Sequence, residues 1–128
     1  MKPELTWLLF AVILTFAQVV VAVATAQMQV GLAALVADRG NLPELKGLAG
    51  RAQRAHRNML ESMALFAPLV LVAVLSGKTN ATTLMGAQIF FWARLVYAPV
   101  YYLGTPWLRT GVWAVSLVGM AMILLQLF

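Results

Sequence analysis

Arg54-Ala55-His56-Arg57-Asn58-Met59-Leu60-Glu61 is the one place in the chain where several charges run straight into an apolar segment. At helical spacing Arg54, Asn58 and Glu61 fall at i, i+4 and i+7 and share a face. Arg57 stands four residues before Glu61 and reaches it along the same side. From Ser62 to Gly77 there is no charge, so this segment reads as a membrane helix with Glu61 about one turn inside it. An intramembrane carboxylate is costly, and is expected to face a bundle interior, to have partners and to mark a site. The competing reading of the same pattern is an ion pair that only pins helices together.

Composition agrees with a membrane setting. Of 128 residues, 62% are hydrophobic and only 10% charged, against about 25% charged in soluble domains. The chain therefore reads as a polytopic membrane protein. Its net charge of +5 sits mostly at the ends of apolar runs, where membrane topology accounts for it better than nucleic acid does. There is no cysteine, which excludes disulfides, thiolate metal sites, redox CxxC pairs and a cysteine nucleophile. Any thiol chemistry has to use a thiol brought by a ligand. One histidine and four acids argue against a metal centre.

Working outward, four spans fill a single domain over residues 1–128. The first, 5–37, is uncharged and longer than the roughly 20 residues a bilayer needs, so its excess extends past the membrane or tilts. Ala24-Thr25-Ala26 resembles a signal-peptidase site. The apolar stretch before it exceeds a signal's ~7–15 residues, however, and Lys2 is offset by Glu4, so a retained helix is expected. Ala22 and Ala26, four apart, suit close helix packing. Gln27 and Gln29 are the strongly polar groups near its inner end. Asp38-Arg39-Gly40-Asn41-Leu42-Pro43 supplies turn chemistry. The second span, 50–77, carries Pro68, which should kink it. After the short turn Lys78-Thr79-Asn80, the third span, 81–103, contains Arg94 and Pro99 and stops at Gly104-Thr105-Pro106. The fourth covers 110–128, with Trp107 and Trp113 as interface aromatics.

Four spans put both termini on one side. Arg39, Lys46, Arg51, Arg54, Arg57 and Arg109 lie on the opposite side, against Lys2 and Lys78 on the terminal side. That bias directs the connections between spans 1–2 and 3–4 toward the cytoplasm. A second constellation lies at the same face. Arg94, Tyr97 and Tyr101 fall at i, i+3 and i+7, and Arg94 is about 15 Å down the helix from Gly104. That depth makes Arg94 a functional-site candidate. Taken alone, the two tyrosines read as belt residues and Arg109 as an interface anchor. His56 reads as a surface residue, and the methionines as scattered packing.

Together these residues resemble the membrane-associated proteins in eicosanoid and glutathione metabolism, the MAPEG family. Arg54-Ala55-x-x-Asn58-x-x-Glu61, followed by Phe66 and Pro68, is similar to the family's helix-2 signature. Ala93-Arg94-Leu95-x-Tyr97-x-x-x-Tyr101, then Gly104 and Arg109, is similar to its helix-3 signature. The resemblance covers essentially the whole chain. It implies an all-α integral membrane protein, a left-handed four-helix bundle in each subunit and a homotrimer, here a bacterial member in the inner membrane. It also implies a glutathione site between neighbouring subunits, open to the cytoplasm. In that site Arg54, Arg57, Asn58 and Glu61 would hold the peptide's charged ends, with Arg94 counted among the binding residues. Tyr97 and Tyr101 would line the other side, and Arg109 would stand nearest the sulfur as the catalytic residue. Known members conjugate glutathione to lipophilic electrophiles, reduce lipid hydroperoxides, isomerise a prostaglandin endoperoxide, or bind lipid without catalysis. Some members carry an arginine near the end of the first span, where this chain has Gln29. Some carry an aromatic directly after the helix-2 glutamate, where this chain has Ser62.

Glutathione carries two carboxylates and an amine, which arginine clamps and one acid complement. The leading expectation is therefore a glutathione transferase or peroxidase acting on a small lipophilic electrophile from the bilayer, with no metal. Its partners would be lipids and further copies of itself. The rival is a non-catalytic lipid-binding or scaffold member. A small proton-coupled exporter is a distant third, since Glu61 among arginines would stay ionised.

Overall fold

The computed structural model of the protein describes residues 1–37 and 44–128. It contains the helices α1 (Pro3–Val30), α2 (Leu32–Val36), α3 (Gly47–Leu75), α4 (Ala81–Leu103) and α5 (Pro106–Leu125). The turn expected over 38–43, with Arg39, lies outside the described residues. α1, α3 and α5 are long and apolar enough to cross a membrane. α4 has 23 residues, long enough to span, but Gln88, Arg94, Tyr97 and Tyr101 make it more polar. It is also the most enclosed of the long helices, packing against α1, α3 and α5 alike. The backbones of α1 and α5 do not approach closely, so α3 and α4 form the middle of the bundle.

The first apolar run is not one helix over 5–37. α1 ends at Val30, and Gly31 takes φ 85 and ψ 158 before α2 restarts. Only glycine adopts that backbone readily. A Cβ at position 31 would meet nothing, so the dihedral alone calls for glycine there. The surplus length is thus turned aside rather than carried on in the same direction. α3 begins at Gly47 and runs on through Pro68 to Leu75. α4 is bounded sharply. The Asn80 side chain and Thr83 form a reciprocal capping box at its start, and Gly104, left-handed at φ 77, ends it. α5 starts at Pro106 rather than near 110, because Thr105 is extended and proline suits a first helical position. Arg109 therefore sits in the first turn of a helix and not in a connection.

Side-chain bonds tie the two ends of the bundle. At one end Lys2 Nζ donates to Thr79 Oγ1 at 3.3 Å, Lys78 Nζ to the Leu127 carbonyl at 2.8 Å, and Asn80 Nδ2 to Gln126 Oε1 at 2.8 Å. Buried Glu4 accepts from Thr83 Oγ1 at 2.9 Å on the same level. Both termini and the 78–80 turn therefore gather together. At the other end Gln29 bonds the Lys46 backbone in both directions, at 2.8 and 2.9 Å. There Arg51 Nε also donates to the Tyr102 carbonyl at 2.8 Å.

Hydrocarbon gives helices no hydrophobic push toward one another, so close packing and internal polar bonds must hold the bundle. Phe66 of α3 and Phe90 of α4 stack with centroids 3.9 Å apart and planes at 12°. Met59, Val70, Ala73, Met120 and Ile123 surround them. On α1 the buried positions include Ala11, Gln18, Ala22 and Ala26, and Ala26 packs on Leu45 and Ala49. α4 and α5 meet backbone to backbone: a Cβ at Gly86 or at Gly119 would lie 2.6 Å from the other residue's carbonyl oxygen. Large apolar side chains such as Phe16, Leu65, Trp92 and Leu125 stay exposed on the outside.

Candidate functional site

The buried stripe of α3 runs through Ala52, Ala55, Met59, Ser62 and Phe66. Asn58 lies at its margin and is half-buried, whereas Arg54, Arg57 and Glu61 are exposed. The shared face of Arg54, Asn58 and Glu61 thus turns toward the outside of its own four-helix bundle. Glu61 therefore does not face the interior of this bundle. The apolar residues that drive α3 inward are one position out of phase with it.

On α4, Arg94, Tyr97 and Tyr101 form one buried face. Arg94 is fully enclosed, at 0% exposure. Its Nη2 donates to Asn58 Oδ1 at 2.8 Å, so the arginine's hydrogen-bond partner is Asn58 rather than Glu61. A hydrogen bond to a charged group contributes about 1.5–3 kcal/mol, which matters where leaving it unmade is expensive. The Arg94 guanidinium carbon also lies 4.2 Å from the Tyr97 ring centroid. Its Nε and Nη1 have no hydrogen-bond partner among the described residues.

The stack continues outward. The Tyr97 and Tyr101 rings are 5.5 Å apart, and the Arg109 guanidinium carbon lies 4.7 Å from the Tyr101 centroid. Two arginines therefore flank two tyrosines, each cation against a ring face, in contacts worth about 0.5–2 kcal/mol according to desolvation. Arg109 reaches this position because α5 begins at Pro106.

Asn58, Tyr97, Arg109, Thr110 and Trp113 line a cleft of about 210 Å³. Its side chains offer an amide, a guanidinium and the Tyr97 hydroxyl, the Thr110 hydroxyl donating instead to the Pro106 carbonyl at 3.0 Å, with no carboxylate in the wall. That donor set suits a ligand rich in acceptors or negative charge. Trp113 and its indole form a partly apolar edge. No group of three His, Cys, Asp or Glu residues able to hold a metal occurs among the described residues.

Of the residues singled out in the sequence, Asn58, Arg94, Tyr97, Tyr101 and Arg109 are brought together, although Arg94 and Tyr101 lie behind the cleft wall. Arg54, Arg57 and Glu61 stand on the adjacent exposed face of α3. Thr110 and Trp113 escape a reading of the sequence that starts the last helix at 110 and places Trp113 in an aromatic belt. Trp113 four residues after Arg109 is the signal that would have found it, once both are on one helix. Arg51, which fastens α3 to the end of α4, and Gln18, a buried amide whose two polar atoms have no partner among the described residues, carry no signal in the sequence pattern. Gln29 spends both ends of its amide on Lys46.

Comparison with known proteins adds one positive finding: the MAPEG family model matches residues 5–128. No curated protein and no solved structure matches the chain.

Proposed function

Since the chain belongs to the MAPEG family of glutathione- and eicosanoid-related membrane proteins, we propose that it is a glutathione-dependent transferase or peroxidase acting on lipophilic electrophiles or hydroperoxides in the bilayer. The observation that carries this reading is the placement of Arg109 in the cleft, fixed over Tyr101 and flanked by Asn58, Tyr97 and Thr110. A free thiol is only a few per cent ionised at neutral pH. Lowering its pKa by two units needs about 2.7 kcal/mol of preference for the anion. One arginine at about 4 Å supplies on the order of 4 kcal/mol at an effective dielectric of 20, before desolvation losses. In conjugation the thiolate sulfur gives its electron pair to the electrophilic carbon, the leaving group departs with the pair of the broken bond, and the thiol proton goes to the cytoplasm.

The full site is assigned to the boundary between subunits of a homotrimer of left-handed bundles. In support, Arg54, Arg57 and Glu61 are exposed on one subunit, free to meet a ligand held against a neighbour. Arg54 and Arg57 would take carboxylates and Glu61 the amine. The connections between α2 and α3 and between α4 and α5 are assigned to the cytoplasm, on the lysine and arginine bias.

A non-catalytic lipid-binding role keeps second place on one observation. Gln29 stands where some members carry an arginine, and its amide is consumed by the Lys46 backbone, so that position adds no charge to the site. Isothermal titration of the purified protein with glutathione, followed by conjugation of a generic electrophile, separates the two. Binding with turnover supports the enzyme, and binding without turnover the rival.

A further inference from the structure

We infer that Arg94 is a positioning residue, which fixes the Asn58 side chain so that its amide donor, and not its carbonyl, is left for the cleft. Arg94 is fully buried and does not line the cleft, so a ligand seated there does not touch it. A guanidinium has five N–H donors and no acceptor. Its Nη2 stands 2.8 Å from one end of the Asn58 amide, and only the carbonyl end can accept. Asparagine amides can ordinarily be turned either way in a structure, and the partner decides. Here the partner is a group that can only donate. Turned the other way, the amide would set N–H against N–H inside an enclosed, low-dielectric layer, where an unmade bond is costly.

Arg94 supports a second wall residue in the same way. Its guanidinium lies against the Tyr97 ring, and Tyr97 lines the cleft beside Asn58. One enclosed cation therefore sets two cleft residues from behind, on α3 and on α4. The consequence is chemical selection. The ligand group that meets the Asn58 Nδ2 is an acceptor, a carbonyl or carboxylate oxygen, and an ammonium or amide N–H finds no partner at that atom. On the glutathione reading, to which this inference adds, Asn58 takes a carbonyl or carboxylate of the peptide and leaves the amine to Glu61.

The test uses the intact protein in detergent, with glutathione as probe and thermal melting as a readout that needs no ligand. Asn58→Asp keeps an oxygen for Arg94 but turns the cleft-side donor into an acceptor. It should melt at or above the wild-type temperature while glutathione Kd rises about tenfold or more, the worth of one charge-assisted bond. Asn58→Leu, which leaves Arg94 without a partner, should melt several degrees lower. Arg94→Met should weaken glutathione binding about tenfold, and Arg94→Lys, which still donates, should recover most of that loss. Should Arg94→Met fail to fold, the Asn58 pair decides. Wild-type affinity in Asn58→Asp, or a melting order in which Asn58→Leu lies above Asn58→Asp, overturns the inference. If the wild type binds no glutathione, the glutathione reading fails, and the two melting temperatures still decide the role of Arg94.

Discussion

The guanidinium of Arg109 lies against the ring face of Tyr101, 4.7 Å from its centroid, and this contact brings a residue of α5 onto the polar face of α4. Without it an arginine in the first turn of a helix has several rotatable bonds and no fixed address. The ring narrows the choice, because a planar cation gains most when it lies flat on an aromatic face. Tyr101 in turn leans on Tyr97, and Tyr97 on Arg94. The position of the outermost cation thus depends on an interior one.

Tyr101 should accordingly matter through its ring more than through its hydroxyl. Tyr101→Phe is expected to keep conjugation within about twofold. Tyr101→Leu, which removes a cation–π contact of about 0.5–2 kcal/mol, should lower turnover by roughly twofold to thirtyfold. Steady-state kinetics on both variants decide it. Equal losses would assign the role to the hydroxyl.

Glu61 is exposed on the bundle, so replacing it should not disturb the fold. Glu61→Gln is expected to weaken glutathione binding about tenfold or more, as loss of a charged hydrogen bond implies. Native mass spectrometry should show the same oligomer as for the wild type. If the oligomer falls apart and the remainder binds normally, Glu61 is a structural ion-pair residue.

The crossing of α4 and α5 depends on two glycines whose backbones touch. Gly86→Val or Gly119→Val must push the helices apart, an overpacking that costs about 1–3 kcal/mol. Thermal melting in detergent should fall for both. Gly111→Ala, where a Cβ meets nothing within 4 Å, should melt near the wild-type temperature.

The sidedness of the bundle is open to labelling. Glu44 is exposed at the end that carries the arginines, and Asn80 is exposed at the end that gathers both termini. Single cysteines at Glu44 and at Asn80 should react with an impermeant reagent from opposite sides of the membrane, Glu44 from the cytoplasm. Reaction of both from one side contradicts the arrangement.

Much of this was legible in the residues themselves. The Lys78-Thr79-Asn80 turn and the Gly104 stop bound α4 at the residues where the helix begins and ends, and the spacing of Arg94, Tyr97 and Tyr101 places them on one face. What escaped did so for physical reasons. Gly31 breaks the first run through a backbone conformation, and neither hydropathy nor length carries that information. The orientation of the Arg54–Glu61 face depends on which side of α3 its neighbours cover, and periodicity gives a face without saying where it points. The partnership of Arg94 with Asn58 is a tertiary fact, set by the level at which Arg51 and Tyr102 lock α3 to α4. Trp113 joins the cleft only because proline starts α5 early.

Thiolate absorbance of bound glutathione against pH, measured together with turnover, shows whether Arg109 activates a thiol. The wild type should hold a thiolate at neutral pH. Arg109→Ala should raise the thiol's apparent pKa toward the free value and cut conjugation by about 10²-fold, as loss of a shift of about two units implies, with only modest weakening of binding. Arg109→Lys keeps the charge but loses the planar seat on Tyr101, and should recover part of the rate. No bound thiolate in the wild type, or wild-type conjugation by Arg109→Ala, would make Arg109 an interface anchor and put the non-catalytic reading first.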